Sequence, residues 1–213
     1  MRRVAVIDYG MGNLRSVSKA LETVGKRVDI LVTSDQQEIQ SASHIVFPGV
    51  GAMRDCMAEL KRLRLDHIIK EVAKTKPFLG VCLGMQALLT ESEENNGSQG
   101  LNIIAGSVKQ FDLSLRHEQA DSKVPHMGWN TVTQRTPHPL WQNIDSDSHF
   151  YFVHSYYVKP EDSDMTAATT HYQHDFTSAL HNDNIFAVQF HPEKSQQAGL
   201  QLLENFLNWD GQS

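Results

Sequence analysis

Residues 4–24 read VAVIDYGMGNLRSVSKALETV and hold one complete strand–turn–helix unit. Val4-Ala5-Val6-Ile7 is a short run without polar interruption, as a strand covered on both faces requires. Gly10-Met11-Gly12-Asn13 makes the turn. Leu14, Val17, Ala20, Leu21 and Val24 then recur on one helical face, with Asn13 placed to cap the helix and Gly25 to end it. The pattern repeats outward from this unit. Val28 to Val32 and Ile45 to Phe47 read as strands, and Met57, Leu60, Leu63, Ile68 and Val72 keep helical spacing between Met53 and Val72. Phe78 to Val81 is again a strand, and Met85 to Leu89 again a helix. Such alternation predicts an α/β fold, a mostly parallel sheet with helices on both faces.

After residue 100 the chain changes character. Short β-rich runs follow one another: Ser107–Phe111, Trp129–Thr133, Phe150–Val153, Thr166–Thr169, Thr177–Leu180 and Ile185–Phe190. Polar or turn-like segments such as Leu113 to Lys123 separate them. These runs read as mostly antiparallel strands added to the same fold, closed by a helix over Gln196 to Trp209 with Leu200, Leu203, Phe206 and Leu207 on one side. The 213 residues are expected to form one domain, residues 1–213.

Composition narrows the function classes. Lys+Arg 19 against Asp+Glu 25 gives a net charge of −6, which offers no general attraction to nucleic acid or to an anionic membrane. The basic stretch Lys61-Arg62-Leu63-Arg64 lies within a helical period and reads as a solvated face. Two cysteines, Cys56 and Cys82, form no metal pattern and point to a reducing compartment. The run Val4 to Ile7 is too short for a signal-peptide core, and no window approaches the ~18 apolar residues of a membrane span, so a cytoplasmic location is expected. A P-loop would need Gly-Lys-Ser/Thr and a dinucleotide site Gly-x-Gly-x-x-Gly. Neither is present, and neither a cofactor nor a metal is expected.

The most informative hexapeptide is Gly80-Val81-Cys82-Leu83-Gly84-Met85, where the apolar strand meets the next helix. Gly-x-Cys-x-Gly there is the thiol form of a nucleophile elbow, a sharp turn that crowds its own backbone. A Cβ at 80 or 84 is expected to collide with the turn. The turn would thrust the Cys82 sulfur out at the carboxyl edge of the sheet, beside helix N–H groups that favour a thiolate. A buried structural cysteine would also suit this hexapeptide. His191 ends the run Ile185 to Phe190 and precedes Pro192 and Glu193. The strand delivers its imidazole to the same edge, and Glu193 can turn back to hold one ring nitrogen while the other faces the thiol. His-Pro-Glu alone could be a turn with a surface ion pair; beside the elbow it points to catalysis. Oxyanion donors are expected from the Leu83 amide and from the loop that carries Gly49, Val50 and Gly51. Cys56, on a helical segment with no partner motif, reads as non-catalytic.

Gly80-Val81-Cys82-Leu83-Gly84-Met85-Gln86 together with Gln189-Phe190-His191-Pro192-Glu193 resembles the class I, triad-type glutamine amidotransferase family. Three more segments are similar to one branch of it, the glutaminase subunits of imidazole glycerol phosphate synthases. They are Asp8 to Leu14, Pro48 to Ala52 and Pro125-His126-Met127-Gly128-Trp129-Asn130, joined by His154-Ser155-Tyr156 and Lys194-Ser195. The resemblance runs from residue 4 to 195 and implies a flavodoxin-like glutamine amidotransferase fold. It implies hydrolysis of L-glutamine, with Cys82 as nucleophile, His191 as acid and base, and Glu193 orienting His191. Gln86, Glu94 and the Ser155-Tyr156 backbone would hold the amino-acid end. A (β/α)₈ barrel cyclase subunit would dock over the site as a heterodimer, take the ammonia through a tunnel, and meet Pro125, Met127, Trp129, Asn130 and Lys194. The isolated subunit would then be nearly silent. Other clients remain open (pyridoxal phosphate synthase or anthranilate synthase), as do a γ-glutamyl hydrolase or cysteine peptidase and a silent binding module.

Overall fold

The first strand, β1 (Arg2–Ile7), alternates its side chains between two apolar layers, and that alternation sets the architecture. Ala5 and Ile7 join one buried cluster and Val4 and Val6 the other. The computed structural model describes residues 2–114 and 123–212. After β1 come α1 (Leu14–Val24), β2 (Val28–Thr33), α2 (Gln36–Ser41), β3 (His44–Gly49), α3 (Met53–Arg62), α4 (Leu65–Val72), β4 (Phe78–Cys82) and α5 (Leu83–Ala87). The remaining strands are β5 (Glu91–Ser92), β6 (Ser98–Gln99), β7 (Gly106–Gln110), β8 (His126–Gln134), β9 (Ser148–His154), β10 (Tyr156–Pro160), β11 (Thr166–Tyr172), β12 (His174–Asn182) and β13 (Ile185–Val188). Helix α6 (Gln196–Asn208) follows them.

Five parallel strands run in the order β2-β1-β3-β4-β13. This is a flavodoxin-like order, in which ligands bind beyond the carboxyl ends of the strands. The sheet continues through β12, β10 and β7, each antiparallel to its neighbour, to β5 and β6, while β11, β8 and β9 branch from β12. The expected second-half strands are all present, and β5, β6 and β10 add to them. Helices α1 and α6 cover one face; α2, α3 and α4 cover the other.

Local chemistry corrects several readings. The period over Met53 to Val72 is two helices, because Arg64 takes a left-handed φ of 56° and turns the chain between α3 and α4. Asn13 makes no side-chain cap; its carbonyl accepts the Ser16 and Val17 amides at 3.1 Å instead. Gly25 does end α1, but at φ −97°, and an added Cβ there would meet the Leu21 carbonyl oxygen at 2.8 Å and Leu207 of α6 at 2.9 Å. The short helix α2 was unforeseen, although Asp35 caps it through the Gln37 and Glu38 amides at 2.8 and 2.9 Å. Most of the Leu113–Lys123 segment, residues 115–122, lies outside the described residues. No helix among the described residues is long and apolar enough to cross a membrane.

The glycines flanking Cys82 make room for neighbouring strands, and Gly80 also for the turn. A Cβ at Gly84 would overlap the Phe47 carbonyl oxygen of β3, so α5 starts in backbone contact with the neighbouring strand. At Gly80 the nearest neighbours are the Ala187 Cβ of β13 at 3.1 Å and the Gly84 carbonyl at 3.3 Å. Replacing Gly84 with alanine must therefore push two elements apart. We expect G84A to lose about 3 kcal/mol or more in urea unfolding. Gly10→Ala, at φ +82° with open space around it, should lose only ~1–2 kcal/mol from its left-handed backbone.

Candidate active site

Cys82 sits at the junction of β4 and α5 with φ 55° and ψ −111°, a conformation an L-residue adopts only when its surroundings enforce it. Such strain costs about 1–3 kcal/mol. The preceding residues Phe78, Leu79 and Val81 are buried between both layers, and each contributes about 1.5–3 kcal/mol, which offsets it. Gly49 of β3 lies in register beside Cys82, and Val188 of β13 beside Val81. Three strand ends thus converge at one edge. The sulfur is nearly buried, not sealed: it lines a cavity of about 290 Å³.

His191 follows β13 and reaches the same cavity. Its amide donates to the Tyr151 carbonyl of β9 at 2.9 Å, and its carbonyl accepts the Lys194 amide at 3.0 Å and the Ser195 hydroxyl at 2.6 Å. The ring is held just as firmly. His191 Nδ1 meets Glu193 Oε1 at 2.9 Å, and both side chains are only 2% exposed. The other ring nitrogen, Nε2, makes no hydrogen bond of ordinary geometry among the described residues. Burial pushes the imidazole pKa down, but the Cys82 sulfur and then the Glu193 carboxylate outweigh it and carry the ring up to about 10. With Nδ1 engaged by Glu193, the sulfur acts on the Nε2 side. A thiol, an imidazole and an orienting carboxylate thus stand in the order that nucleophilic catalysis requires.

The loop after β3 forms the next wall. Val50 and Gly51 line the cavity, Gly51 at φ +103°, while Gly49 is buried beneath them. The Tyr9 hydroxyl donates to the Pro48 carbonyl at 3.0 Å and leaves no room for a side chain at Gly49. That bond ties the end of β3 to Tyr9, and Val50 and Gly51 lie beyond it. Leu83 opens α5, and the first helical turn leaves its amide N–H groups without intrahelical partners.

Gln86, Glu94, Ser155 and Tyr156 all line the cavity. Gln86 Nε2 donates to the Tyr156 carbonyl at 3.1 Å and to Gln189 Oε1 at 3.0 Å. The Tyr156 carbonyl also accepts His154 Nδ1 at 2.8 Å and so is engaged twice, whereas the Ser155 carbonyl accepts the Phe111 amide at 3.1 Å and keeps a second lone pair for a ligand amine. Glu94 Oε2 accepts the Met53 amide at the start of α3 at 2.7 Å, which fixes its carboxylate at the cavity wall.

Sequence reasoning missed Tyr9 and, as a site residue, Gln189. The second had a signal: a lone amide in the apolar run Ile185 to Phe190, where it is fully buried. It also missed the hydrogen-bonded pair His126 and His154, whose rings meet edge-on, Nδ1 to Nε2 at 2.8 Å. Burial lowers these two histidines to about 4 and about 3. Cys56 is buried in α3 with its thiol pushed up to about 12, unlike a nucleophile.

The residues expected to meet a partner do not share one environment. Met127 and Trp129 point outward from β8, 62% and 47% exposed, and Lys194 lies 5.7 Å over the Tyr151 ring, whose edge meets Trp129. Pro125, which follows a cis peptide bond, is exposed at the cavity rim. Asn130 instead turns inward, its amide donating to His126 Nε2 at 3.1 Å and the His171 carbonyl at 3.0 Å.

The model of the class-I glutamine amidotransferase family matches residues 5–209. The HisH subunit of imidazole glycerol phosphate synthase from Nitrosococcus oceani is 59% identical over 213 residues, covering all of both chains. Its counterpart from Acinetobacter baylyi is 56% identical over 99% of this chain and all of that one. In fold, a structure of PurLQS from Thermotoga maritima superposes with a TM-score of 0.72 at 17% identity, over 97% of this chain and 98% of that one.

The raised imidazole gives a direct check on the geometry. Since its folded pKa lies above the ordinary 6.5, the group stabilises the fold fully below that pH and ceases to as pH rises through about 10. Imidazole ¹⁵N shifts should show His191 protonated at neutral pH, and Cys82→Ala, which removes a raising partner, should move its midpoint down.

Proposed function

Because the chain belongs to the class-I glutamine amidotransferase family and groups within it with the HisH subunits, we propose that it is the glutaminase subunit of an imidazole glycerol phosphate synthase. The observation that carries the reading is the buried His191–Glu193 pair facing a strained cysteine in one small cavity. The proton of the Cys82 thiol already rests on His191 Nε2, and the sulfur attacks the side-chain amide carbon of L-glutamine. Negative charge that develops on the amide oxygen is met by the Leu83 N–H and by N–H groups of the Gly49–Gly51 loop. His191 returns the proton to the nitrogen, ammonia leaves, and a γ-glutamyl thioester remains. Water then attacks with His191 as base. The carbon–sulfur bond breaks, its electron pair goes to sulfur, and glutamate departs.

Glu193 holds the ring by Nδ1 and so leaves Nε2 to serve both half-reactions. The glutamine amine pairs with the Glu94 carboxylate. Gln86 and the Ser155-Tyr156 segment contact the same end of the substrate, Tyr156 with groups other than its occupied carbonyl.

Ammonia loses its nucleophilicity when protonated, as it mostly is near neutral pH, so it must reach its acceptor through a closed path. We assign that acceptor to a (β/α)₈ barrel cyclase subunit in a cytoplasmic heterodimer. It would yield imidazole glycerol phosphate and an aminoimidazole carboxamide ribotide, a step of histidine biosynthesis. Residues 1–213 act as one amidotransferase domain. Met127 and Trp129 fit the role of docking anchors, with Pro125 and Lys194 beside them, because two exposed apolar side chains on one face of β8 gain most from being covered. Asn130 contributes by holding β8 from within.

Four measurements test this. In the complex, Cys82→Ala should cut glutamine-dependent turnover at least about a thousandfold while turnover with added ammonium persists; retained glutamine-dependent turnover would refute the assignment. Glu193→Gln should cost less than Cys82→Ala. Trp129→Ala should weaken subunit association about tenfold, read by calorimetry, and an unchanged Kd would remove it from the interface. The isolated chain should turn over glutamine far more slowly than the complex.

A further inference from the structure

Gln189 has no assigned role, yet it is fully buried and is one residue removed from His191. Its Nε2 lies 3.7 Å from the Cys82 sulfur and donates to it. Which end of the amide faces the sulfur follows from the neighbours. The Tyr156 backbone carbonyl can only accept, so Gln86 must present its nitrogen there, at 3.1 Å. The same nitrogen carries a second hydrogen to Gln189, 3.0 Å away, and Gln189 must receive it with Oε1. The N–H₂ end is then left for Cys82. His154 Nδ1, on the far side of the Tyr156 carbonyl, fixes the origin of this line at 2.8 Å.

We propose that Gln189 is a further catalytic residue, an amide donor to the Cys82 sulfur whose orientation is set by the Tyr156 carbonyl through Gln86. A donor of this kind favours sulfur carrying negative charge over a neutral thiol or a thioester. Before attack it holds the charged sulfur in place. When water has added to the thioester carbon and the carbon–sulfur bond breaks, it also stabilises the sulfur as the electron pair arrives. His191 keeps the proton it took from the attacking water, beside the released sulfur. This role rests on the glutaminase reading, but the donor contact itself does not.

The test is alkylation of Cys82 by iodoacetamide at neutral pH, which needs no glutamine and so reads the sulfur whether or not the glutaminase reading stands. Gln189→Met removes the donor at similar volume, and Gln189→Asn keeps an amide but draws it one methylene short. Both should alkylate about tenfold more slowly than the parent chain. In the complex with its cyclase subunit, both should also accumulate γ-glutamyl-enzyme by intact mass. A folded variant that alkylates at the parent rate would overturn the proposal. For a variant that does not fold, the side-chain ¹⁵N–¹H resonances of Gln189 in the parent chain decide: they should shift in Cys82→Ala, and unmoved resonances would overturn it. Slowed alkylation in a chain that releases no ammonia from glutamine, alone or in the complex, would defeat only the glutaminase reading.

Discussion

Everything at the sheet edge depends on holding one residue, Cys82, in a backbone conformation it would not choose. At φ 55° and ψ −111° the chain ends a buried strand and starts a helix with no intervening loop. The turn closes because Gly84 lets α5 lie against the Phe47 carbonyl and Gly80 admits Ala187 of β13. Side-chain burial on both faces supplies the free energy, and small residues at the contacts keep that energy from being lost to overlap. With the turn in place, the sulfur, the His191 ring and the Val50–Gly51 loop share one cavity.

Much of this was legible in the residues. Apolar runs flanked by glycine marked β1, β3 and β4, because strands covered on both faces cannot tolerate polar interruption. The triad was legible for a related reason: Gly-x-Cys-x-Gly and His-Pro-Glu are short motifs whose geometry is mostly local. Hydrogen bonds between distant segments were not legible. Nothing near Gln86 in the chain announces Gln189 or Tyr156, and nothing near Tyr9 announces Pro48. The break between α3 and α4 was hidden for the opposite reason: apolar spacing continues across Arg64 while the backbone does not. Asn130, read as a surface contact, turned inward because its amide completes a buried histidine pair.

That pair belongs to a continuous polar line beneath the cavity, from Asn130 through His126 and His154 to the Tyr156 carbonyl, and through Gln86 and Gln189 to Cys82. Buried polar groups are costly unless satisfied, and each member here has a partner of fixed sense. The two histidines are held neutral by burial, so the line carries hydrogen bonds and no net charge. It also runs behind the strand whose outer face presents Met127 and Trp129. The outer face of β8 and the cavity wall at Tyr156 are therefore joined by one line of hydrogen bonds.

The most direct measurement of the central claim is intact and peptide mass spectrometry after treatment with a glutamine-mimicking chloroketone. The account predicts a single label on Cys82, suppressed by excess glutamine, with Cys56 untouched. A label on Cys56, or none on either sulfur, would contradict it.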